Sequence, residues 1–257
     1  MSEEIVLSWL GPHVVQLQLN RAKERNTFTW SLLDELESKL EQLVATDVRV
    51  LLITGSGDTF CAGADLHLIQ SFTEEDARRW IRRGHEVLRK VERFPVPVLA
   101  VLNGHAVGGG LELACACDLR LSVPWNKLGL PETRLGMIPG WGGTTRTQRL
   151  IGPAEVRRLV YTAALISGEE ALRIGLVDAV YPSGDLPHRA LELAQQIAAN
   201  APVALREVKR LLNREPSDFA SEVEQDAEAL ARCVLSDDQT EGLKAFFEKR
   251  QPVFRGR

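Results

Sequence analysis

The sequence has few cysteines, no long apolar run and no excess of positive charge, and each lack excludes a class of protein. Its 257 residues include four cysteines in a chain long enough to fold without disulfides, so we expect reduced thiols and a cytoplasmic protein. No apolar run reaches the ~20 residues of a membrane span, and residues 1–20 lack the pattern of a secretory signal. A net charge of −4 attracts neither nucleic acid nor an anionic membrane.

The cysteines do not predict a metal site. Cys115 and Cys117 are one residue apart, but no second pair of Cys or His follows at a suitable spacing. Cys61 and Cys233 lie singly in apolar or helical surroundings. We therefore expect four core thiols and no bound metal.

What is present is an alternation of apolar strands and helices. "IVLSWL" and "HVVQLQL", on either side of Gly11 and Pro12, predict a β-hairpin. Leucines at helical spacing after Thr29 predict a helix with Thr29 as its N-cap. "VRVLLITG", "VLAVLNG" and "DLRLSV" predict buried strands, separated by a charged helix over 73–93 and by a glycine-led helix. This order over about residues 50–125 predicts an α/β fold with parallel, right-handed βαβ units.

The chain from Pro153 onwards is predicted to be almost wholly helical, including one helix over 218–237. The strand-rich core and the helical C-terminal part are therefore predicted to form two units, residues 1–195 and residues 196–257. The helical third carries wide apolar faces, more than one small lobe would bury, and such faces mark interfaces. They include Leu230, Val234, Leu243, Phe246 and Phe247.

The segment "GHAVGGGLELACACDLRL" combines three consecutive glycines, Gly108 to Gly110, with an acidic residue, Glu112, among apolar neighbours. A tight strand-to-helix turn, a phosphate-binding loop or an oxyanion hole could each use the glycines. The Gly-Lys-Ser/Thr ending of a P-loop is absent, and the dinucleotide fingerprint fits poorly. Glu112 favours an oxyanion hole, because it lies about one helical turn beyond Gly109, on the face where the N–H groups are free.

Two further segments supply what such a site needs. An oxyanion hole usually has two donors, and "DTFCAGADL" provides a second close-approach turn at Ala62, Gly63 and Ala64 after the strand "VRVLLITG". In "KLGLPETRLGMIPGWGG", Glu132 follows Pro131 at the predicted first turn of a short helix. Glu132 is either a second acid of the site or an ordinary helix-terminal acid. The glycines of "MIPGWGG" are predicted to border the same cavity.

"FCAGADL", "NGHAVGGGLELACACDLRL", "LGLPETRLGMIPGWGGTTR" and "EGLKAFFEKRQPVF" together resemble the enoyl-CoA hydratase (crotonase) family, collinearly from about residue 5 to 254. Each motif is weak alone, but their joint order and spacing are specific. The resemblance implies a crotonase-like ββα spiral core and a C-terminal helical trimerisation region, with a homotrimer or a dimer of trimers. It also implies an acyl-CoA thioester substrate and no metal or redox cofactor, since coenzyme A belongs to the substrate.

The resemblance also assigns residues. It implies that the N–H groups of Ala64 and Gly109 form the oxyanion hole, and that Glu112 and Glu132 are the catalytic acids of a hydratase. The implied substrate contacts are Asp65, Leu66, Gly140, Lys23 and Arg25.

Two residues depart from the common pattern of the family. Trp141 occupies a place usually held by a small residue, so it either narrows or covers the acyl pocket. His67 stands where many relatives have lysine, which weakens one contact to coenzyme A.

Three alternatives remain at this point. An enoyl-CoA isomerase needs one base where a hydratase needs two acids, so the presence of both glutamates favours hydration. The sequence also resembles the methylglutaconyl-CoA hydratase branch, one of whose members has been linked to RNA. That link makes RNA binding the non-enzymatic alternative, and the helix over 73–93 is rich in arginine. That helix is interleaved with acids, however, and the helix after Thr29 is acidic, so we expect a solvated face and no nucleic-acid partner.

Overall fold

The strands of the chain form two sheets. The computed structural model describes residues 3–214 and 219–257. Its strands are, in chain order, β1 (Ile5–Gly11), β2 (Val14–Leu19), β3 (Val50–Gly55), β4 (Thr59–Cys61), β5 (Val98–Leu102), β6 (His105–Val107), β7 (Leu119–Ser122), β8 (Leu128–Gly129) and β9 (Ala179–Val180). The larger sheet has the order β1-β2-β3-β5-β7-β9, and the smaller has the order β4-β6-β8.

Helices connect and cover these strands. They are α1 (Trp30–Val44), α2 (Leu66–Ile69), α3 (Glu74–Glu92), α4 (Gly109–Ala116), α5 (Gly143–Thr162), α6 (Gly168–Arg173), α7 (Leu186–Ala198), α8 (Pro202–Leu212), α9 (Phe219–Val234) and α10 (Asp237–Glu248). Short 3-10 helices occupy Ala22–Glu24 and Glu132–Leu135. The helix predicted over 218–237 thus corresponds to α9, and its first residue, Asp218, lies outside the described residues.

Successive turns of the chain follow a ββα pattern. β3 and β4 precede α2 and α3, β5 and β6 precede α4, and β7 and β8 precede α5. Each turn therefore adds one strand to each sheet, and the strand pairs β2–β3, β3–β5, β5–β7, β7–β9, β4–β6 and β6–β8 are parallel. This confirms the predicted hairpin, the parallel βαβ order and the α/β ββα spiral.

The larger sheet is buried on both faces because its strands alternate between two apolar layers. In β3, Leu51 and Ile53 pack with the leucines of α1 and the apolar face of α3. Val50 and Leu52 point the other way and pack with α7. Each fully buried Leu or Val contributes about 1.5–3 kcal/mol relative to its exposed state. Strands of this kind are continuous apolar runs, which is why the sequence revealed them.

Side-chain caps define where two helices begin, and the cap at Thr29 was predicted. Thr29 Oγ1 accepts a hydrogen bond from Leu32 N at 3.2 Å, which caps α1. Thr73 and Asp76 form a reciprocal capping box at the start of α3. Such caps satisfy N–H groups that have no partner within the helix.

The C-terminal third differs from its prediction in two places. β9 interrupts the predicted run of helices and pairs with β7 at the edge of the larger sheet. A helical segment also precedes Pro153, because α5 begins at Gly143 and kinks at Gly152, where φ is 76°. The predicted boundary at residue 195 falls within α7, which packs on the sheet. The division into two functional units stays a prediction.

The thiols are free, and three of the four lie in the core. Cys61, Cys115 and Cys117 are buried, whereas Cys233 is partly exposed, so its prediction as a core residue was wrong. The reason is that it lies on α9, at the outer part of the molecule, where this chain alone does not cover it. Within 3–214 and 219–257, no group of three His, Cys, Asp or Glu is placed to hold a metal. No helix in the same ranges is long and apolar enough to cross a membrane.

Candidate active site

Three loops meet at one edge of the smaller sheet. They follow β4, β6 and β8, which are parallel neighbours, so their C-terminal ends lie together. The sequence placed the first two loops directly after the long apolar strands. The structure corrects this, because a short strand intervenes each time and carries the chain into the second sheet. A cavity of about 440 Å³ lies among the three loops.

Two turns approach each other closely at this cavity. Gly63 has φ +94°, and a Cβ there would lie 2.9 Å from the Val107 carbonyl oxygen and 3.3 Å from Gly109 N. Glycine is thus required at position 63 by both conformation and space. The amide of Gly109, the first residue of α4, has no partner within its helix, and that of Ala64 makes no backbone hydrogen bond in the described chain. Both residues line the cavity, so two N–H donors are available there.

Glu112 is a buried carboxylate held by the backbone. It is 2 % exposed, and its Oε1 accepts hydrogen bonds from Trp141 N at 2.7 Å and Gly143 N at 2.8 Å. A Cβ at position 143 would stand 2.7 Å from that oxygen, so only glycine lets the loop approach. Burial raises the pKa of Glu112 to about 7, and the negative charge of Glu132 adds to this rise. The hydrogen bonds from Gly143 N and Trp141 N act in the other direction and lower the pKa.

Glu132 enters the cavity from the opposite loop. It begins the 3-10 helix Glu132–Leu135, as predicted. Its Oε1 lies 2.9 Å from where a Cβ on Gly108 would stand, and Gly108 has φ +56°, a conformation that favours glycine. Its Oε2 is buried and has no hydrogen-bond partner. Burial also raises the pKa of Glu132. An unpartnered carboxylate oxygen in a cavity is a typical ligand contact, because burying it unsatisfied costs free energy.

An aromatic wall closes one side of the cavity. Trp80, Phe72 and Trp141 line it, and Phe28 packs edge-on against Trp141 with ring centroids 5.1 Å apart. Of these aromatic residues, only Trp141 was predicted from the sequence to lie at the pocket. Trp80 could have been found from its place on the apolar face of α3, but its partners come from three separate segments.

Arg146 supports the loop that holds Glu112. Its Nη1 donates to the Trp141 carbonyl at 2.7 Å, and its Nη2 donates to Glu92 Oε2 at 3.0 Å. The loop carrying the two N–H donors is thereby tied to α3. Sequence reasoning missed this role, since an arginine on a helix is usually a surface charge.

The sequence model of the family described as enoyl-CoA hydratase/isomerase matches residues 11–257. The chain belongs to the enoyl-CoA hydratase/isomerase family. A crotonyl-CoA hydratase from Syntrophomonas wolfei is 38% identical, with 93% of each chain covered. An enoyl-CoA isomerase/hydratase from Mycosarcoma maydis is 36% identical over 95% of this chain and 93% of its own. The crystal structure of an enoyl-CoA hydratase from Bacillus anthracis has TM-score 0.96 and 40% identity, covering 99% of this chain and 100% of its own.

The remaining site residues implied by the enoyl-CoA hydratase/isomerase resemblance divide into two groups. Leu66 and Gly140 line the cavity. Asp65 instead caps α2, where its Oδ1 accepts from His67 N at 3.0 Å. The side chains of Lys23 and Arg25 are exposed and do not line the cavity. Their contacts with coenzyme A, and that of Asp65, stay predictions.

The arginine-rich helix of this family member is partly neutralised by its neighbour. Across the α1–α3 contact, Arg83 pairs with Asp34 at 2.7 Å and Lys90 pairs with Glu41 at 2.6 Å. Glu37 contacts both cations. Cations paired in this way have little charge left for a phosphate backbone, which argues against the RNA alternative.

Proposed function

We propose that the protein is an enoyl-CoA hydratase, which adds water across the double bond of a 2-enoyl-CoA thioester. The observation that carries the proposal is the convergence of two carboxylates and two unpaired N–H groups on one cavity. Hydration needs both acids and the donors, whereas moving a double bond needs one base. The names of the hydratase relatives support the same reaction.

The thioester carbonyl is held by the two backbone donors. Its oxygen accepts hydrogen bonds from Ala64 N–H and Gly109 N–H, and this places C2 and C3 between Glu112 and Glu132. Negative charge develops on that oxygen when the nucleophile adds at C3. Each donor aimed at the developing charge is worth about 3 kcal/mol of transition-state stabilisation.

The two glutamates handle the protons of one water molecule and one carbon. Glu112, whose Oε1 is fixed by Trp141 N and Gly143 N, orients water and takes its proton as the oxygen bonds to C3. The π electrons pass to the thioester as an enolate, and Glu132 in its acid form gives a proton to C2. The product is a 3-hydroxyacyl thioester, and solvent returns the two glutamates to their starting forms. Raised pKa values suit both roles near neutral pH.

The proposed reaction uses no metal or redox cofactor, because acid, base and oxyanion donors all come from the chain. Coenzyme A enters as part of the substrate. We also propose a homotrimer or a dimer of trimers. The supporting observation is the exposed apolar surface of α9 and α10, on which Phe246 and Phe247 are each 76% exposed.

A panel of 2-enoyl-CoA thioesters tests the proposal by loss of the enone absorbance. Crotonyl-CoA, an aromatic ester, a branched ester and 3-methylglutaconyl-CoA cover the alternatives, and a 3-enoyl-CoA tests isomerisation. We expect hydration to exceed isomerisation. A much faster shift of the 3-enoyl ester to its 2-enoyl isomer would make the protein an isomerase instead.

A further inference from the structure

Trp141 is held rigidly at the inner side of the cavity. It is 2 % exposed, and its indole packs against Trp80 with ring centroids 5.0 Å apart. The indole N–H donates to the Trp80 carbonyl at 3.3 Å. A buried indole with its polar atom satisfied has one stable position, so it forms a fixed wall of the cavity.

Two glycines make room for this indole. A Cβ on Gly84 would lie 2.0 Å from Trp141 Cε2 and 2.1 Å from its Nε1. A Cβ on Gly109 would lie 3.0 Å from Cζ3, at the opposite edge of the ring. The indole therefore fills the gap between α3 and α4, and neither glycine could carry a side chain without displacing it.

The backbone at Gly84 does not require glycine. It lies inside α3, where glycine weakens a helix relative to alanine, and it is not among the glycines with positive φ. The reason that the structure shows for glycine at position 84 is the space occupied by the Trp141 indole. A tryptophan at 141 and a glycine at 84 thus form one packing unit, which the sequence could not show because the two residues are far apart along the chain.

The indole stands next to the reacting groups. Its edge faces Gly109, one of the proposed oxyanion donors, and its own backbone N–H holds Glu112. Trp141 and Trp80 line the same cavity as Ala64 and Gly109, so an acyl chain whose carbonyl lies at those two donors can extend towards the two indoles. Ile138 also lines the cavity and is 74% exposed, so the cavity is open to solvent there.

We infer that Trp141, seated in the gap left by Gly84, sets the depth of the acyl site and restricts the enzyme to short 2-enoyl thioesters. This inference rests on the proposed function for its reaction. In a rigid apolar pocket, one methylene too many changes kcat/KM by ~10- to 200-fold. Several extra methylenes meeting the indole are rejected more strongly.

The test compares kcat/KM for crotonyl-CoA and 2-decenoyl-CoA in four proteins: wild type, Trp141→Ala, Trp141→Phe and Trp30→Ala. We expect the wild type to prefer crotonyl-CoA by ~100-fold or more. Trp141→Ala should reduce this ratio by at least ~10-fold, and Trp141→Phe by less. Trp30→Ala is the matched control, because Trp30 belongs to the same aromatic cluster but does not line the cavity. It should leave the ratio unchanged.

Variants at Gly84 provide an independent test of the inference. Gly84→Ala should drive the indole into the cavity and lower kcat/KM for both esters by ~10-fold or more. Adding Trp141→Ala to Gly84→Ala should restore much of that loss, since the clashing ring is gone. This compensation is a coupling between contacting residues, and unrelated sites do not show it. Additive losses in the double variant would overturn the inference.

Dissociation constants of butyryl-CoA and decanoyl-CoA, measured by calorimetry, separate the inference from the proposed function. One outcome is that the wild type hydrates no enoyl ester but still binds butyryl-CoA more tightly than decanoyl-CoA. In that case the hydratase proposal fails, and the inference that Trp141 limits the depth of the acyl site (the depth limit) stands. If the wild type hydrates crotonyl-CoA and 2-decenoyl-CoA equally well, the depth limit is wrong and the hydratase proposal survives. Thermal unfolding of each variant shows whether it is folded, and Trp141→Phe keeps the test valid should Trp141→Ala fail to fold.

Discussion

Replacing Glu112 by Gln should stabilise the fold at neutral pH while it removes activity. The carboxylate of Glu112 is buried, and burial raises its pKa from 4.5 to about 7. At about 1.4 kcal/mol per pH unit, keeping this group ionised in the native state costs about 3 kcal/mol. The glutamine oxygen can still accept the hydrogen bonds from Trp141 N and Gly143 N, which Glu112 Oε1 now accepts at 2.7 and 2.8 Å. The variant therefore loses the charge and keeps the contacts.

The sign of this effect depends on pH. The native pKa lies above the unfolded one, so between pH 4.5 and 7 the native state holds a proton that the unfolded state has released. The stability of the wild type therefore falls as pH rises through this window. The advantage of Glu112→Gln should be largest above pH 7, at up to about 3 kcal/mol, and should shrink towards zero near pH 4.5.

Denaturant unfolding at pH 8 and pH 5, at one fixed protein concentration, measures the difference. A constant concentration is needed because assembly also shifts apparent stability. Glu75→Gln, at an exposed position of α3, is the control and should show no such dependence. The same samples should show hydration reduced by about two to four orders of magnitude for Glu112→Gln. The reasoning would be refuted if Glu112→Gln were less stable than wild type at pH 8. It would also be refuted if the variant changed the free energy of unfolding by the same amount at both pH values.

Three further predictions concern the same site and the assembly. Glu132→Gln should lower kcat about as much as Glu112→Gln, with little change in acyl-CoA binding. The double variant should have a kcat scarcely lower than either single variant, because the two acids act as a unit. A single variant that keeps most of its hydration rate would contradict the mechanism. Gly109→Pro removes one oxyanion donor, and turnover should fall by about two to three orders of magnitude. A Cβ at this position also lies 3.0 Å from Trp141 Cζ3, so Gly109→Ala, which adds the Cβ but keeps the N–H, is the matched control and should retain more turnover; equal turnover in the two folded variants would exclude the Gly109 N–H from the hole. Sedimentation at micromolar concentration should show a trimer or hexamer, since Phe246 and Phe247 are exposed on the single chain; a monomer would argue against the proposed assembly.

The local pattern of the sequence was enough to find the main parts of the site. Glycines before a helix leave N–H groups free, and a carboxylate one turn later lies on the same side, so Gly109 and Glu112 could be related by helical geometry alone. Glu132 could be placed at the start of its helix from Pro131. The long strands, such as β3, were visible because each is a continuous apolar run.

Other features needed the folded chain. β4, β6 and β8 have two or three residues each, too few for a period of two to be recognised, yet they bring the three loops to one edge. The raised pKa of Glu112 depends on its burial, which no local pattern reports. The exposure of Lys23 and Arg25 likewise depends on the fold, since they lie in and directly after the 3-10 helix Ala22–Glu24.

The sequence by itself determined the long strands, most of the helices, the family and the residues able to carry acid–base chemistry. These follow from short-range rules, since periodicity, capping and close-approach glycines act within a few residues. The tertiary structure alone decided what those residues face. It set Trp141 against Gly84, joined Arg146 to Glu92 and left one oxygen of Glu132 buried without a partner. The physical reason is that packing and desolvation depend on neighbours from distant parts of the chain.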